Sequence, residues 1–122
     1  MSVDSIVRLS PENGEVTNVE WNPEDVGPEG FEEVETTCFR SADEKLFGGH
    51  WAGEPGSLRL DPYPYDEICV MISGRVALVD GDGARREFGP GEAFYVPKGK
   101  SYTWETIEPS KKFFIAYEGV GS

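Results

Sequence analysis

The chain has 122 residues, which is enough for one domain with a sizeable buried core. Its net charge of −12 disfavours nucleic acids and anionic membrane surfaces as partners. The 15 glycines and 9 prolines are typical of a sheet protein with many tight turns and argue against a helical bundle.

No targeting or membrane segment is recognisable. No apolar run is long enough to span a membrane, and the start Met-Ser-Val-Asp-Ser lacks the basic and apolar regions of a signal peptide. Cys38 and Cys69 lie far apart and show no metal-type spacing, so we expect two reduced thiols. These features predict a soluble protein located in the cytoplasm.

The N-terminal quarter differs from the rest of the chain. Residues 1–30 are polar and contain three prolines, which predicts an extended arm with one or two short strands. The arm precedes a domain over 31–122, and Trp21 is the residue best suited to anchor it there. A lid over a binding site is the alternative role for this arm.

The remainder alternates short apolar or β-branched segments with turn signals, and no window has the periodicity of an amphipathic helix. The predicted strands are Phe31 to Arg40, Leu46 to Ala52, Ser57 to Asp61, Glu67 to Ser73, Arg75 to Asp80, Arg85 to Phe88, Ala93 to Val96, Tyr102 to Ile107 and Lys112 to Tyr117. Gly48 and Gly49 are expected to allow a bulge or a close backbone approach. The pattern predicts an all-β fold, a closed antiparallel barrel or jelly roll.

The strand that begins at Glu67 is apolar on both faces. Cys69 and Met71 alternate with Ile68, Val70 and Ile72, so only one of the two sets can face the inside of a barrel. The other set needs a cover, which predicts a homodimer interface or a second packed sheet.

Two glycine-punctuated segments resemble the cupin motifs. Six residues separate Glu67 from Gly74, and five separate Gly91 from Pro97, which Gly99 follows. Together with segments such as Gly49-His50-Trp51, Glu54-Pro55-Gly56 and Phe88-Gly89-Pro90-Gly91, they resemble small single-domain cupins related to the cupin domain of ureidoglycine aminohydrolase. The resemblance implies a single antiparallel jelly-roll barrel that is commonly dimeric, and cupins include enzymes, binders and regulators.

The cupin resemblance also implies a divalent metal held by two histidines, one glutamate and a third histidine. Here the histidine positions are occupied by Asp61, Tyr63 and Tyr102, and the single histidine, His50, lies outside the motifs. We therefore expect no tightly bound cofactor. A weakly held divalent cation on Asp61 and Glu67 is the alternative.

Several polar and aromatic side chains are expected to line the barrel. The predicted ligand-binding residues are Arg59, Asp61, Tyr63, Glu67, Cys69, Tyr102 and Trp104. A buried carboxylate needs a partner, and Tyr63, Tyr102 and Arg59 are the candidates for Glu67. Lys98, Lys100 and Lys112 are expected to be solvated charges, with a place at the barrel mouth as the alternative.

Three functional hypotheses follow. The first is a module that binds a small polar, nitrogen-containing metabolite, with Glu67 recognising an amine or ureido donor. The second is an aminohydrolase-like or isomerase-like enzyme that uses Glu67 as its catalytic acid or base. The third is a purely structural or interaction protein that would use its exposed faces, with these side chains forming only a satisfied core network.

Overall fold

The computed structural model describes residues 3–119, which form two antiparallel β-sheets without any α-helix. The ten strands are β1 (Glu15–Thr17), β2 (Glu33–Arg40), β3 (Leu46–Gly53), β4 (Gly56–Leu60), β5 (Asp66–Ser73), β6 (Val76–Asp80), β7 (Arg85–Phe88), β8 (Ala93–Val96), β9 (Tyr102–Thr106) and β10 (Ser110–Tyr117). Short 3-10 turns occur at Val3–Ser5 and Pro23–Asp25. Within these residues no helix is long and apolar enough to cross a membrane.

The strands are divided between a larger and a smaller sheet. Sheet A has the order β1-β2-β3-β10-β5-β8, and sheet B has the order β4-β9-β6-β7. The all-β prediction is confirmed, but the two sheets do not join into a closed barrel. The chain passes from β7 to β8 through Gly89–Gly91, and there Phe88 and Phe94 stack with ring centroids 4.0 Å apart while the two strands remain in different sheets.

The core lies between the sheets and is supplied by alternate residues of each strand. In β5, Glu67, Cys69 and Met71 are buried, whereas Ile68, Val70 and Ile72 are 45%, 38% and 40% exposed on the outer face of sheet A. The predicted alternation of this strand is therefore confirmed. Sheet B does not cover the three outward residues, because it packs on the opposite face.

Close backbone approach explains the paired glycines of β3. A Cβ atom on Gly49 would lie 1.9 Å from the Thr36 carbonyl oxygen, and one on Gly48 would lie 2.4 Å from the Phe114 carbonyl oxygen. The β2–β3 register also shifts between Thr37 and Phe39, opposite these glycines. The expected bulge or close approach is thus found.

The region predicted as an arm, 1–30, contributes to sheet A through β1, which pairs with β2. Cys38 Sγ donates a hydrogen bond to the Ser10 carbonyl, 3.3 Å away, so the segment before β1 also contacts β2. Residues 1–2 of that arm and 120–122 of the predicted domain lie outside the described residues. The boundary at residue 30 stays a prediction.

Candidate functional site

A cavity of about 70 Å³ lies between the sheets, where β2, β3 and β10 face β4 and β9. Its aromatic wall includes the indole rings of Trp21, Trp51 and Trp104 and the phenol rings of Tyr63 and Tyr65. Its charged side chains are Glu33, Glu35, Glu67 and Lys112. A small pocket that is partly open to solvent and lined by aromatic rings and a few polar groups is typical of a ligand site.

Strand register places three of these residues side by side. Glu35 pairs with Trp51 across β2 and β3, and Trp51 pairs with Lys112 across β3 and β10. Residues that are paired in adjacent antiparallel strands project from the same face of the sheet. The row Glu35, Trp51 and Lys112 therefore points inward together.

Lys112 is the central cation of the interior and is 4% exposed. Its Nζ lies 3.4 Å from Glu67 Oε2 and 3.2 Å from Cys69 Sγ. The same atom stands 4.2 Å from the ring centroid of Trp104 and 5.1 Å from that of Trp51, within cation–π distance. Lys112 thus has a carboxylate, a sulfur and two indole rings around it.

The ionisation of this cluster follows from its burial. Burial raises the pKa of the Cys69 thiol to about 12, so the sulfur stays protonated at neutral pH. Burial acts to lower the pKa of Lys112, but the neighbouring Cys69 and Glu67 outweigh it and hold this pKa above its usual range. Lys112 is therefore an ammonium, and the negative charge beside it comes from Glu67.

Tyr63 is the second partner of Glu67, since its hydroxyl donates a hydrogen bond to Glu67 Oε1. Burial and the Glu67 charge raise the pKa of Tyr63 well above its ordinary value, which keeps the phenol a donor. Of the three partners expected for Glu67, only Tyr63 is found. The rings of Tyr102 and Tyr63 meet edge-on, with their centroids 6.1 Å apart. Arg59 lies on the protein surface, away from Glu67.

Glu33 joins two of the cavity's indole rings. Its carboxylate accepts a hydrogen bond from Trp21 Nε1 at 2.6 Å and another from Trp51 Nε1 at 2.7 Å. Trp21 belongs to the N-terminal segment, whereas Trp51 belongs to β3. The expected anchoring role of Trp21 is thus seen as a specific contact at the cavity wall.

Glu35 differs from the other two cavity carboxylates. Its side chain makes no hydrogen bond and no ion pair with any residue between 3 and 119. Burial, followed by the charges of Glu33 and Glu67, raises the pKa of Glu35 to about 7, while Lys112 opposes the shift. Near neutral pH the cavity therefore contains a carboxyl group that is free to exchange a proton.

Two of the predicted lining residues lie outside. Arg59 is 61% exposed and forms ion pairs at 3.5 Å with Asp25 and with Asp61, which is itself 48% exposed. Arg59 was expected to point inward by counting back from Asp61 through one regular strand. That expectation is wrong, because Leu58 and Leu60 are the β4 residues that line the cavity, and Arg59 between them points outward.

The other predicted residues do lie on the inner side, with different surroundings. Glu67, Cys69, Tyr63 and Trp104 are buried together near Lys112, and Tyr102 is half-buried beside Tyr63. His50 sits on the outer face of sheet A with its ring centroid 6.0 Å from that of Phe113, so it is not part of the cavity.

Sequence reasoning missed three charged residues of the cavity. Lys112 was expected to be solvated, which is wrong, and Glu33 and Glu35 were not considered as lining residues. Lys112 shares its strand parity with the core residues Phe114 and Ala116, and that alternation was the available signal. For Glu33 and Glu35 the same alternation along β2 was not recognised, because acidic residues usually point towards solvent.

The donor set does not fit the transition metal that the cupin motifs imply. Across residues 3–119, no three His, Cys, Asp or Glu side chains come together in a way that could hold a metal ion. Asp61, the alternative oxygen ligand, is exposed on the outside, whereas Glu67 is buried beside the Lys112 ammonium. A positive side chain therefore already lies against the one motif ligand that remains.

Two antiparallel sheets with the motif glutamate buried between them are the arrangement expected from the cupin motifs. Residues 40–114 match the family model of the EutQ-like cupin domain, so the chain belongs to that family. No curated protein matches the sequence.

Solved structures support the same fold. The Clostridium difficile EutQ protein is 19% identical, with 84% of this chain and 83% of that chain covered and a TM-score of 0.65. A protein of unknown function from Pseudomonas syringae pv. tomato is 20% identical, with 84% and 44% covered and a TM-score of 0.74. A Rhizobium leguminosarum protein of unknown function is 22% identical, with 71% and 82% covered and a TM-score of 0.62. At these identities the likeness concerns the fold alone.

Proposed function

We propose that this cupin binds a small, polar, nitrogen-containing metabolite in the cavity between its sheets, without a histidine-held metal. The observation that carries the proposal is the carboxyl group of Glu35, which lines the cavity and has no partner among the described side chains. No side-chain nitrogen or oxygen of residues 3–119 is both fully buried and unpartnered, so this carboxyl still reaches the open part of the cavity, where a ligand can meet it. A bound ligand would provide the missing partner.

The alternative of a purely structural core network accounts for only part of the cluster. Glu67 is satisfied by Tyr63 and Lys112, and Glu33 is satisfied by two indole N–H groups. Such pairing is what a core network requires. Glu35 is outside this network and faces open space, which favours a binding role for the cavity.

The size of the cavity limits its occupant. One water needs roughly 10–15 Å³ measured this way, so a cavity of about 70 Å³ has room for about five to seven water-sized groups. A nucleotide or a sugar exceeds this volume, so only part of such a ligand would lie inside the partly open cavity. The ligand class is therefore that of small amines, ureas or amides.

Thermal unfolding and calorimetry with such compounds test the proposal. The wild type is compared with Glu35→Gln and with Glu32→Gln, a control at an exposed neighbouring position. A ligand present at 100 times its Kd would stabilise the wild type and the control by about 2.7 kcal/mol. Equal stabilisation of Glu35→Gln, or no binding by any small amine, urea or amide, would contradict the proposal.

An aminohydrolase-like or isomerase-like activity is a second candidate. It is favoured by the chain of contacts from Tyr63 through Glu67 to Lys112, because these groups could pass a proton along one wall of the cavity. In this alternative, incubation with small ureido and amino compounds would release ammonia or an isomer. Glu67→Gln would abolish the turnover, and unchanged turnover in that variant would exclude the role of Glu67.

A further inference from the structure

We infer that the ligand carries an ammonium group, which binds against the Glu35 carboxylate among the indole rings of the cavity. This inference rests on the proposed binding function and specifies which nitrogen chemistry the cavity selects. It differs from the amine or ureido choice left open by the sequence, and it assigns recognition to Glu35, since Glu67 is already paired.

The first argument is the charge around the cavity. Three carboxylates, those of Glu33, Glu35 and Glu67, face it, and Lys112 is the single cation among its lining residues. Lys112 is engaged by Glu67, by Cys69 and by two indole rings, so it has little capacity left for an anionic ligand. A cation reduces the excess negative charge, whereas a carboxylate ligand would increase it.

The second argument concerns hydrogen-bond donors. The indole N–H groups of Trp21 and Trp51 both point at Glu33, and that of Trp104 points at Thr106 Oγ1, 3.2 Å away. The Tyr63 hydroxyl is used by Glu67. An ammonium only donates, while an amide or urea also carries a carbonyl that needs a donor.

Aromatic rings complete the preference for a cation. With their N–H edges engaged, the tryptophans offer the electron-rich faces of their rings, and one cation already uses two of them. Cation–π attraction is strongest at tryptophan and increases when water is excluded. The half-buried hydroxyl of Tyr65, which has no partner among residues 3–119, could serve one further polar group of the ligand.

Proton exchange at Glu35 gives this inference a distinctive signature. The charged and titratable groups that face Glu35 are Glu33 and Arg40 on its own strand, Glu67 and Lys112 from β5 and β10, and the phenols of Tyr63 and Tyr65. Their combined effect with burial raises the pKa of Glu35 to about 7. An ammonium binds the ionised carboxylate, so binding below pH 7 releases the proton that Glu35 held.

Isothermal titration calorimetry with ethylammonium chloride tests this signature. We expect affinity about tenfold weaker at pH 6 than at pH 8, because the ionised fraction of a group with a pKa near 7 changes by that factor. At pH 6, two buffers of different ionisation enthalpy should report release of close to one proton per ligand. Sodium chloride at equal ionic strength and acetamide serve as comparison titrants.

The variants and the alternative results separate the two levels of the proposal. Glu35→Gln should lose at least tenfold in affinity and release no proton, while Glu32→Gln should behave as the wild type. Acetamide binding without ethylammonium binding would overturn the ammonium inference but leave the binding function in place. If neither compound binds the wild type, the ammonium inference is overturned, and the binding function is overturned too if no other small amine, urea or amide binds. The buffer comparison uses wild-type protein, so it holds even if Glu35→Gln fails to fold.

Discussion

Replacing Lys112 by methionine tests whether the buried charge cluster is organised as described. Methionine keeps an unbranched apolar stem between Trp51 and Trp104 but removes the ammonium. Glu67, with a side chain 9% exposed, would then keep only the Tyr63 hydroxyl as a partner. Removing one member of a buried ion pair costs about 3–5 kcal/mol, and the remaining hydrogen bond favours the lower end, about 3 kcal/mol.

Urea and thermal unfolding measure this effect. For a chain of 122 residues, a loss of about 3 kcal/mol corresponds to a fall in Tm of roughly 9–15 °C. Lys100→Met is the matched control, because Lys100 is exposed and its replacement should change stability by less than about 0.5 kcal/mol. Comparison of the two variants removes the general effect of deleting one positive charge.

The double variant Lys112→Met/Glu67→Gln completes the test. It removes both charges, so its stability should return to within about 1 kcal/mol of the wild type. The reasoning is refuted if Lys112→Met costs less than about 1 kcal/mol. It is also refuted if the double variant is less stable than Lys112→Met alone.

Three further predictions concern other parts of the molecule. The folded-state pKa of Glu35, about 7, exceeds the ordinary value of 4.5, so the stability of the wild type falls as the pH rises from about 4.5 to about 7. Glu35→Gln should therefore be more stable than the wild type by up to about 3 kcal/mol at pH 8, but not at pH 4. Parallel curves of stability against pH for the two proteins would contradict this. We propose that a second copy of the chain covers the apolar outer face of sheet A. Light scattering should then show a dimer for the wild type and a monomer for Val70→Glu. A monomeric wild type would exclude this dimer. Gly49→Ala should lower the free energy of unfolding in urea by about 2 kcal/mol or more, because its Cβ would overlap the Thr36 carbonyl oxygen. Gly81→Ala is the control, because there is open space around Gly81. Equal effects of the two substitutions would refute the steric argument.

The sequence predicted most of the fold because the relevant signals are local. Strand positions followed from β-branched and aromatic segments between turn residues, and the hairpin of β6 and β7 followed from Gly81-Asp82-Gly83. In the structure Asp80 Oδ1 accepts hydrogen bonds from the backbone N–H groups of Asp82 and Ala84. Closure of the barrel could not be predicted this way, since it depends on whether distant edge strands meet.

The residues of the site were harder to predict, because charged residues on the inward face of β2 hide the usual alternation of apolar and polar residues. In β2 the side chains of Glu33 and Glu35 face the cavity, while Val34 is 51% exposed on the outer face. This is the reverse of the usual rule that apolar residues point inward and acidic ones outward. Only the paired rows across the sheet, in which Glu35 adjoins Trp51, show which face is internal.

The pairing of Glu67 with Lys112 provides a physical account of how a cupin can lack its motif histidines. A buried carboxylate needs hydrogen-bond donors or a positive partner, and in the metal-binding pattern that partner is the ion. Here β10 provides a covalently attached cation, held by Glu67 and by two indole rings, and this cation cannot dissociate. Glu67 is thus already paired, whereas Glu35 on β2 is the cavity carboxylate without a partner among residues 3–119, and we propose that the ligand binds there. Glu35 and Glu67 both line the cavity from sheet A, so a ligand held by Glu35 would lie in the same cavity as the paired motif glutamate.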